Sequence, residues 1–213
     1  MKVIILAGGP AADLPDFSLW PKDVFIGVDE GAFSLIERGI KPAAAVGDFD
    51  SVTVEQFNRI KQILPDVEAA AAEKDETDTE MALEKAMTFN PDTVIITGVT
   101  GGRLDHYMSA LHGIYSYHLR YPRTEFFLIN KQNRIRFLKA GKHKIQRDGR
   151  YRFVSFYPFA EEITGFSLKG FKYLVHDEKI PFGSTRYISN ELDGAGEVSF
   201  IEGNCIMIES ADE

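Results

Sequence analysis

Thr93-Val94-Ile95-Ile96-Thr97-Gly98-Val99-Thr100-Gly101-Gly102-Arg103-Leu104-Asp105-His106 is the stretch whose reading decides the fold. A short apolar run ends in a glycine-rich turn, and a helical pattern then extends from Leu104 to Leu119. A run of this kind, apolar without alternation, suits a strand covered on both faces, as in a parallel sheet. The same unit recurs outward in both directions. Lys2–Ala7, Val24–Val28, Ala43–Val46 and Glu125–Ile129 read as further strands, and Ala32–Arg38, Val54–Leu64 and Thr77–Phe89 as helices. In the last of these, Ala82, Leu83, Ala86 and Met87 recur at helix spacing, and Thr77 with Glu80 forms a T-x-x-E capping box at its start. Alternating strands and helices predict the α/β class for residues 1–131.

From about Lys131 the apolar period changes to two, with turn signals at Asp148-Gly149, Gly165, Gly170, Gly194 to Gly196 and Gly203-Asn204. Residues 132–213 therefore read as a separate small β domain. The clearest expected hairpin pairs Val198 and Phe200 with Ile206 and Ile208 across Glu202-Gly203-Asn204.

Composition excludes several classes. The chain has 213 residues, a formal net charge of -8 and no Lys/Arg run that would track a phosphate backbone, which argues against nucleic acid as a partner. The single cysteine, Cys205, cannot form an internal disulfide and sits in an apolar run, so a buried thiol in a reducing cytoplasm is expected. The apolar start at Met1–Ala7 is stopped by Gly8-Gly9-Pro10 before a signal-peptide core could form, and no stretch reaches the roughly 20 apolar residues of a membrane span.

Chemistry concentrates at strand and helix ends. Val46-Gly47-Asp48-Phe49-Asp50-Ser51 sets two carboxylates just past a buried strand, where open parallel sheets bind ligands. In an extended segment the two would point the same way and share one cation; the plainer alternative is an Asp-rich turn capping the helix that begins near Thr53. A second acidic cluster, Glu73-Lys74-Asp75-Glu76-Thr77-Asp78, lies at a helix start, where unpaired N–H groups favour carboxylates in any case. If the two clusters converge, a hard cation such as Mg²⁺ offsets their repulsion, and Lys74 adds a point charge suited to phosphate oxygens. The turn Gly98–Gly102 matches neither a Walker A loop nor G-x-G-x-x-G, but its N–H groups at a helix N-terminus suit an anion. Beside it, Arg103 can fork onto a phosphate, and Asp105 or His106 can cap the helix, bind ligand or take a proton. Phe182-Gly183-Ser184-Thr185-Arg186-Tyr187-Ile188-Ser189-Asn190-Glu191 is a polar loop whose spacing alone marks no site.

Taken in order, V-G-D-F-D-S, K-D-E-T-D, G-x-x-G-G-R-x-D-H and G-S-T-R-x-x-S-N-E resemble the signature segments of the bacterial thiamine pyrophosphokinase family across essentially the whole chain. The resemblance implies a Rossmann-like, mostly parallel α/β domain that binds ATP and metal over residues 1–131. It implies a C-terminal β-sandwich for thiamine binding and dimerisation over 132–213, and a homodimer with shared active sites. The implied reaction is the Mg²⁺-dependent transfer of diphosphate from ATP to thiamine. By position it assigns Asp48, Asp50 and Asp78 to metal and diphosphate, and the acidic cluster itself adds Asp75 as a further candidate metal ligand. Lys74, Gly102, Arg103, Asp105 and His106 fall on the phosphate side, Asp29 near the substrate crevice, and Ser189 and Asn190 on the thiamine side. Asp29 is followed by Glu30 where the family often has glycine. The aromatic that would stack on the pyrimidine is left open between Phe182 and Tyr187, since the only tryptophan, Trp20, lies in an N-terminal loop. Two other readings use the same residues: a metal-dependent nucleotide-sugar glycosyltransferase built on the D-x-D, and a non-catalytic nucleotide or thiamine sensor.

Overall fold

The computed structural model describes residues 1–65, 67 and 76–212. Two compact units divide the chain, Met1–Lys131 and Gln132–Glu213.

In the first unit, β1 (Lys2–Leu6), β2 (Val24–Val28), β3 (Ala44–Val46), β4 (Thr93–Thr97) and β5 (Glu125–Ile129) form a sheet in the order β3-β2-β1-β4-β5. Each adjacent pair among these runs parallel, with Ile4 opposite Phe25 on one side and Ile95 on the other. Helices α1 (Glu30–Glu37), α2 (Val54–Ile63), α3 (Asp78–Met87) and α4 (Leu104–Arg120) follow β2, β3 and β4. Val3, Ile4, Ile5 and Leu6 are all fully buried, as a strand covered on both faces requires. Ile4, Leu6, Trp20, Phe25, Leu35 and Ile95 belong to one core cluster; Ala32, Ile36, Phe49 and Ile60 belong to another. The sheet's sequence order reverses between β1 and β4, the place where an open parallel sheet leaves a crevice at its carboxyl edge.

Both expected helix starts are capped by their own sequence. Thr53 accepts from the Gln56 N–H while the Gln56 side chain accepts from the Thr53 N–H, and Thr77 with Glu80 repeats the arrangement.

The second unit contains β6 (Asn133–Gln146), β7 (Phe153–Phe171), β8 (Val175–Ile180) and β9 (Asn190–Ser210), in the order β6-β9-β7-β8. These long strands bend over one core that includes Phe156, Phe166, Phe171, Val198, Phe200 and Met207. Phe153 at the start of β7 pairs with both Glu191 and Ser210, near the two ends of β9, so β9 curves around it. The expected hairpin across 202–204 is absent. Val198 and Ile206 lie instead on a single strand, β9, which pairs antiparallel with His143 and Phe137 of β6. Gly203, at φ 97°, bends that strand, and β6 answers with a register shift between Lys139 and Gly141. The alternation that suggested two arms is the alternation of one bent strand. Cys205 is fully buried, and burial pushes its thiol pKa well up. Among the described residues, no helix is long and apolar enough to cross a membrane.

Candidate active site

The carboxyl ends of β1, β2, β3 and β4 open into a crevice of about 970 Å³, entirely within the first unit. Its walls come from Ala7–Pro10 after β1, Val28–Glu30 after β2, Asp48, Asp50 and Ser51 after β3, Thr77–Thr79 at the start of α3, and the turn and helix start at Gly98–His106. At the switch point two of these turns touch backbone to backbone. A Cβ on Gly9 would lie 2.4 Å from the Gly98 carbonyl oxygen, so a side chain there would wedge the floor apart.

Three carboxylates converge in this crevice. Asp29, Asp48 and Asp78 each place an oxygen within 4.8 Å of the other two. Asp29 follows β2 in an unusual conformation, φ 46° and ψ -119°, and its Oδ1 accepts the Phe49 N–H at 3.0 Å. A Cβ on Gly47 would sit 1.9 Å from that same oxygen, so only glycine lets the β3 turn close over the Asp29 carboxylate. Burial, opposed by the Phe49 hydrogen bond and reinforced by the charges of Asp78, Asp48 and Asp50, lifts the Asp29 pKa to about 6.

The D-x-D pair is arranged differently from an extended segment. Phe49 takes φ 57°, turning the chain so that its ring is buried against Phe57, with centroids 4.9 Å apart. Asp48 Oδ1 accepts the Asp50 N–H at 3.1 Å, a local turn bond. Asp50 lines the crevice without joining the three-carboxylate group, and Asp29, from another strand, takes that place. Neither aspartate caps α2, because Thr53 and Gln56 already do. Lys74 and Asp75 lie outside the described residues.

Gly102, Arg103, Asp105 and His106 also line the crevice and are exposed. Arg103 forks onto Asp105, Nε to Oδ1 at 3.1 Å, and this hydrogen bond with the adjoining charge holds the Asp105 carboxyl down at about 2. The glycine turn is braced from the residue just after β5, where Asn130 Nδ2 donates to Thr100 Oγ1 at 3.0 Å. The sequence assigned no role to Glu30 or to the Gly8–Pro10 segment, both crevice-lining. The signal available for the last was a glycine pair directly after an apolar strand, read there only as a stop.

In the second unit, Ser189 is exposed and holds φ 53°, while Asn190 is buried, its side-chain amide engaged with the Tyr173 backbone at 2.8 and 3.0 Å. Of the two candidate stacking aromatics, Tyr187 is packed into the core and its hydroxyl donates to Glu178 at 2.6 Å, whereas Phe182 is 68% exposed.

A hard, all-oxygen donor set held against its own repulsion fits a small divalent cation, with the glycine turn and Arg103 available for phosphate. Known proteins share this architecture. The profile for the thiamin pyrophosphokinase catalytic domain matches residues 18–128, and that for the thiamin pyrophosphokinase vitamin B1 binding domain matches residues 142–205. Thiamine pyrophosphokinase of Bacillus subtilis is 41% identical over the full length of both chains. Its crystal structure superposes with a TM-score of 0.92 at 39% identity, again over all of both chains. The thiamin pyrophosphokinase of Geobacillus thermodenitrificans gives 0.90 at 37% identity, covering 100% of this chain and 99% of the other. With two domain profiles matched in chain order and end-to-end identity of this size, the chain belongs to the thiamin pyrophosphokinase family.

Proposed function

We propose that this chain is an enzyme that transfers diphosphate from ATP to the hydroxyl of thiamine, giving thiamine diphosphate and AMP. The observation that carries the reading is the convergence of Asp29, Asp48 and Asp78 in the switch-point crevice of a member of this family. Family membership favours the diphosphate reaction over the glycosyltransferase and sensor readings.

Asp29, Asp48 and Asp78 would hold Mg²⁺, with Asp50 in the same crevice and Asp75 shortly before Asp78 in sequence. Bound there, the ion supplies neutralisation of phosphate charge as the leaving oxygen departs. The chain's own groups position the reactants. The N–H groups of the Gly98–Gly102 turn and the start of α4 face the anion, and Arg103 exchanges its Asp105 partner for a phosphate oxygen. Lys74 serves the phosphates as a point charge. The thiamine hydroxyl oxygen bonds to the β-phosphorus, the bond from that phosphorus to the AMP oxygen breaks, and a carboxylate, His106 or water takes the hydroxyl proton. Ser189 and Asn190 belong to the thiamine side, and a cytoplasmic setting fits the lone buried Cys205.

Incubation with ATP, thiamine and Mg²⁺, followed by identification of both products, tests the reaction; ADP with thiamine monophosphate would overturn it. We place the complete site across a homodimer, Asp48 and Asp78 from one subunit facing Ser189 of the other. Co-expressing Asp48→Asn with Ser189→Arg, each inactive alone, should restore roughly a quarter of wild-type activity, because about half of the dimers are mixed and each has one intact site. Background activity from mixed dimers would show that each site lies within one chain.

A further inference from the structure

Among the described residues the buried polar or charged side chains are Thr97, Ser155, Asn190 and Glu209. Two of these four flank the exposed Ser189: Ser155, on β7, accepts its N–H, and Asn190, the next residue in the chain, is anchored to the Tyr173 backbone. The Ser189 N–H donates to Ser155 Oγ at 3.0 Å, and one residue along β7 the Phe156 N–H donates to the Tyr187 carbonyl at 2.8 Å. On the other flank Asn190 Nδ2 donates to the Tyr173 carbonyl at 2.8 Å, and Asn190 Oδ1 accepts from the N–H groups of Tyr173 and Glu191 at 3.0 and 2.9 Å. Between these clamps Ser189 holds φ 53°, the left-handed region that L-residues disfavour and glycine enters freely. Strained residues of this kind persist where the surrounding structure over-determines them, and they gather at ligand sites.

A serine hydroxyl buried in a strand adds nothing to sheet pairing and must be desolvated. Its value lies in the N–H it accepts, which no neighbouring backbone carbonyl takes. Meanwhile Ser189 is exposed, and its hydroxyl is engaged by no internal hydrogen bond among the described residues. A glycine at 189 would close the same turn without strain; a serine there makes sense as a presented hydroxyl.

We infer that Ser155 and Asn190 are positioning residues that hold Ser189 in its left-handed conformation so that its hydroxyl meets the second substrate. Asn190 acts through the backbone, its amide oxygen accepting two N–H groups and its amide nitrogen donating to the Tyr173 carbonyl, and Ser189 is the group that contacts the ligand. This rests on the assignment of thiamine to this unit made under Proposed function. It goes further by separating the contact residue from the two that aim it.

Steady-state kinetics of the full-length chain with ATP, Mg²⁺ and thiamine test the arrangement. Ser155→Ala should raise the thiamine KM about tenfold with the ATP KM within about twofold, and Ser155→Thr, which keeps the hydroxyl, should recover most of that loss. Ser189→Gly removes the hydroxyl and the strain together, so its Tm should be no lower than wild type while its thiamine KM rises by a similar factor. This second variant decides the matter if Ser155→Ala does not fold. A purely structural Ser155 would lower Tm and leave both KM values unchanged; that result, or an unchanged thiamine KM in Ser189→Gly, overturns the inference and leaves the reaction standing. Absence of thiamine diphosphate with the wild-type protein overturns the proposed reaction and the inference with it.

Discussion

The two units gather carboxylates in opposite ways. In the first, Asp29, Asp48 and Asp78 crowd together as like charges, and Asp29 is driven up to about 6 by burial and by its acidic neighbours. In the second, Glu209 is 3% exposed yet paired, Arg134 donating Nε and Nη2 to its two oxygens at 2.6 Å each. Asp148 accepts from Arg134 and Arg150, and the Arg150 hydrogen bond leads the interactions that hold it down at about 2. One arrangement costs folding free energy until a cation arrives, and the other is complete within the chain. A converging but uncompensated set therefore marks the place for a ligand, whereas a compensated set marks framework.

The largest effect expected from this contrast is in the framework. Arg134→Ala strands the buried Glu209 carboxylate and should cost about 3–5 kcal/mol in urea unfolding, with Arg134→Ala/Glu209→Leu recovering part of it. A single-variant loss below about 1 kcal/mol would dissolve the distinction, since exposed pairs are worth no more than that. Next, Asp48→Asn should lower kcat/KM at least about 100-fold, about 2.7 kcal/mol of transition-state stabilisation. In EDTA, however, its Tm should equal or exceed that of wild type, because a repulsive charge has been removed. A Tm fall with activity within threefold would make Asp48 a turn residue and nothing more.

Much of the first unit was legible because its information is local. The apolar runs at Val24–Val28 and Thr93–Thr97 and the Thr77/Glu80 box specify strand and helix start without reference to anything distant. What escaped was long-range. Asp29, set near the crevice by resemblance, joins the carboxylate group only because β2 lies beside β3 and Gly47 admits its side chain, and nothing in the Val28-Asp29-Glu30 segment announces that membership. Phe49 looked like the apolar spacer of an extended D-x-D, but the burial of its ring against Phe57 turns the chain and separates the roles of Asp48 and Asp50. In the second unit the period of two was read correctly and its topology was not. Alternation is the same whether two arms pair with each other or one bent strand pairs with β6. Ser155 gave no signal, since a serine in a strand ordinarily faces water.

Acid should sharpen the contrast at a smaller scale. Asp148 titrates lower in the folded chain than its ordinary value of 3.8, so between the two values the unfolded chain binds more protons. Its contribution is complete above about pH 5 and is lost as pH falls through 3.8 towards 2, worth roughly 1–2 kcal/mol after allowing for partial solvent screening. Asp148→Asn should flatten the wild-type stability profile over that window in urea titrations. Equal slopes would remove Asp148 from the network.

The smallest effect expected on stability has the most to say about how the crevice is aimed. Thr77 caps α3, accepting the Glu80 N–H at 3.2 Å, while Glu80 Oε2 accepts the Thr77 N–H and hydroxyl at 2.9 and 3.0 Å. Asp78 is the next residue, the first of the helix, so the cap that starts α3 also fixes where one of the three carboxylates stands. Thr77→Ala should cost about 1 kcal/mol of stability, the usual value of a lost cap. Thr77→Ser, which retains the hydroxyl, should cost little. If the cap only starts a helix, kcat/KM will survive in Thr77→Ala once the assay is run well below its Tm. If it also aims Asp78, kcat/KM should fall about tenfold in Thr77→Ala and recover in Thr77→Ser, and the metal concentration for half-maximal activity should rise with it. That pairing of a modest stability loss with a larger, metal-linked kinetic one is what a ligand-dependent carboxylate group predicts. The self-contained pairs of the second unit predict the reverse.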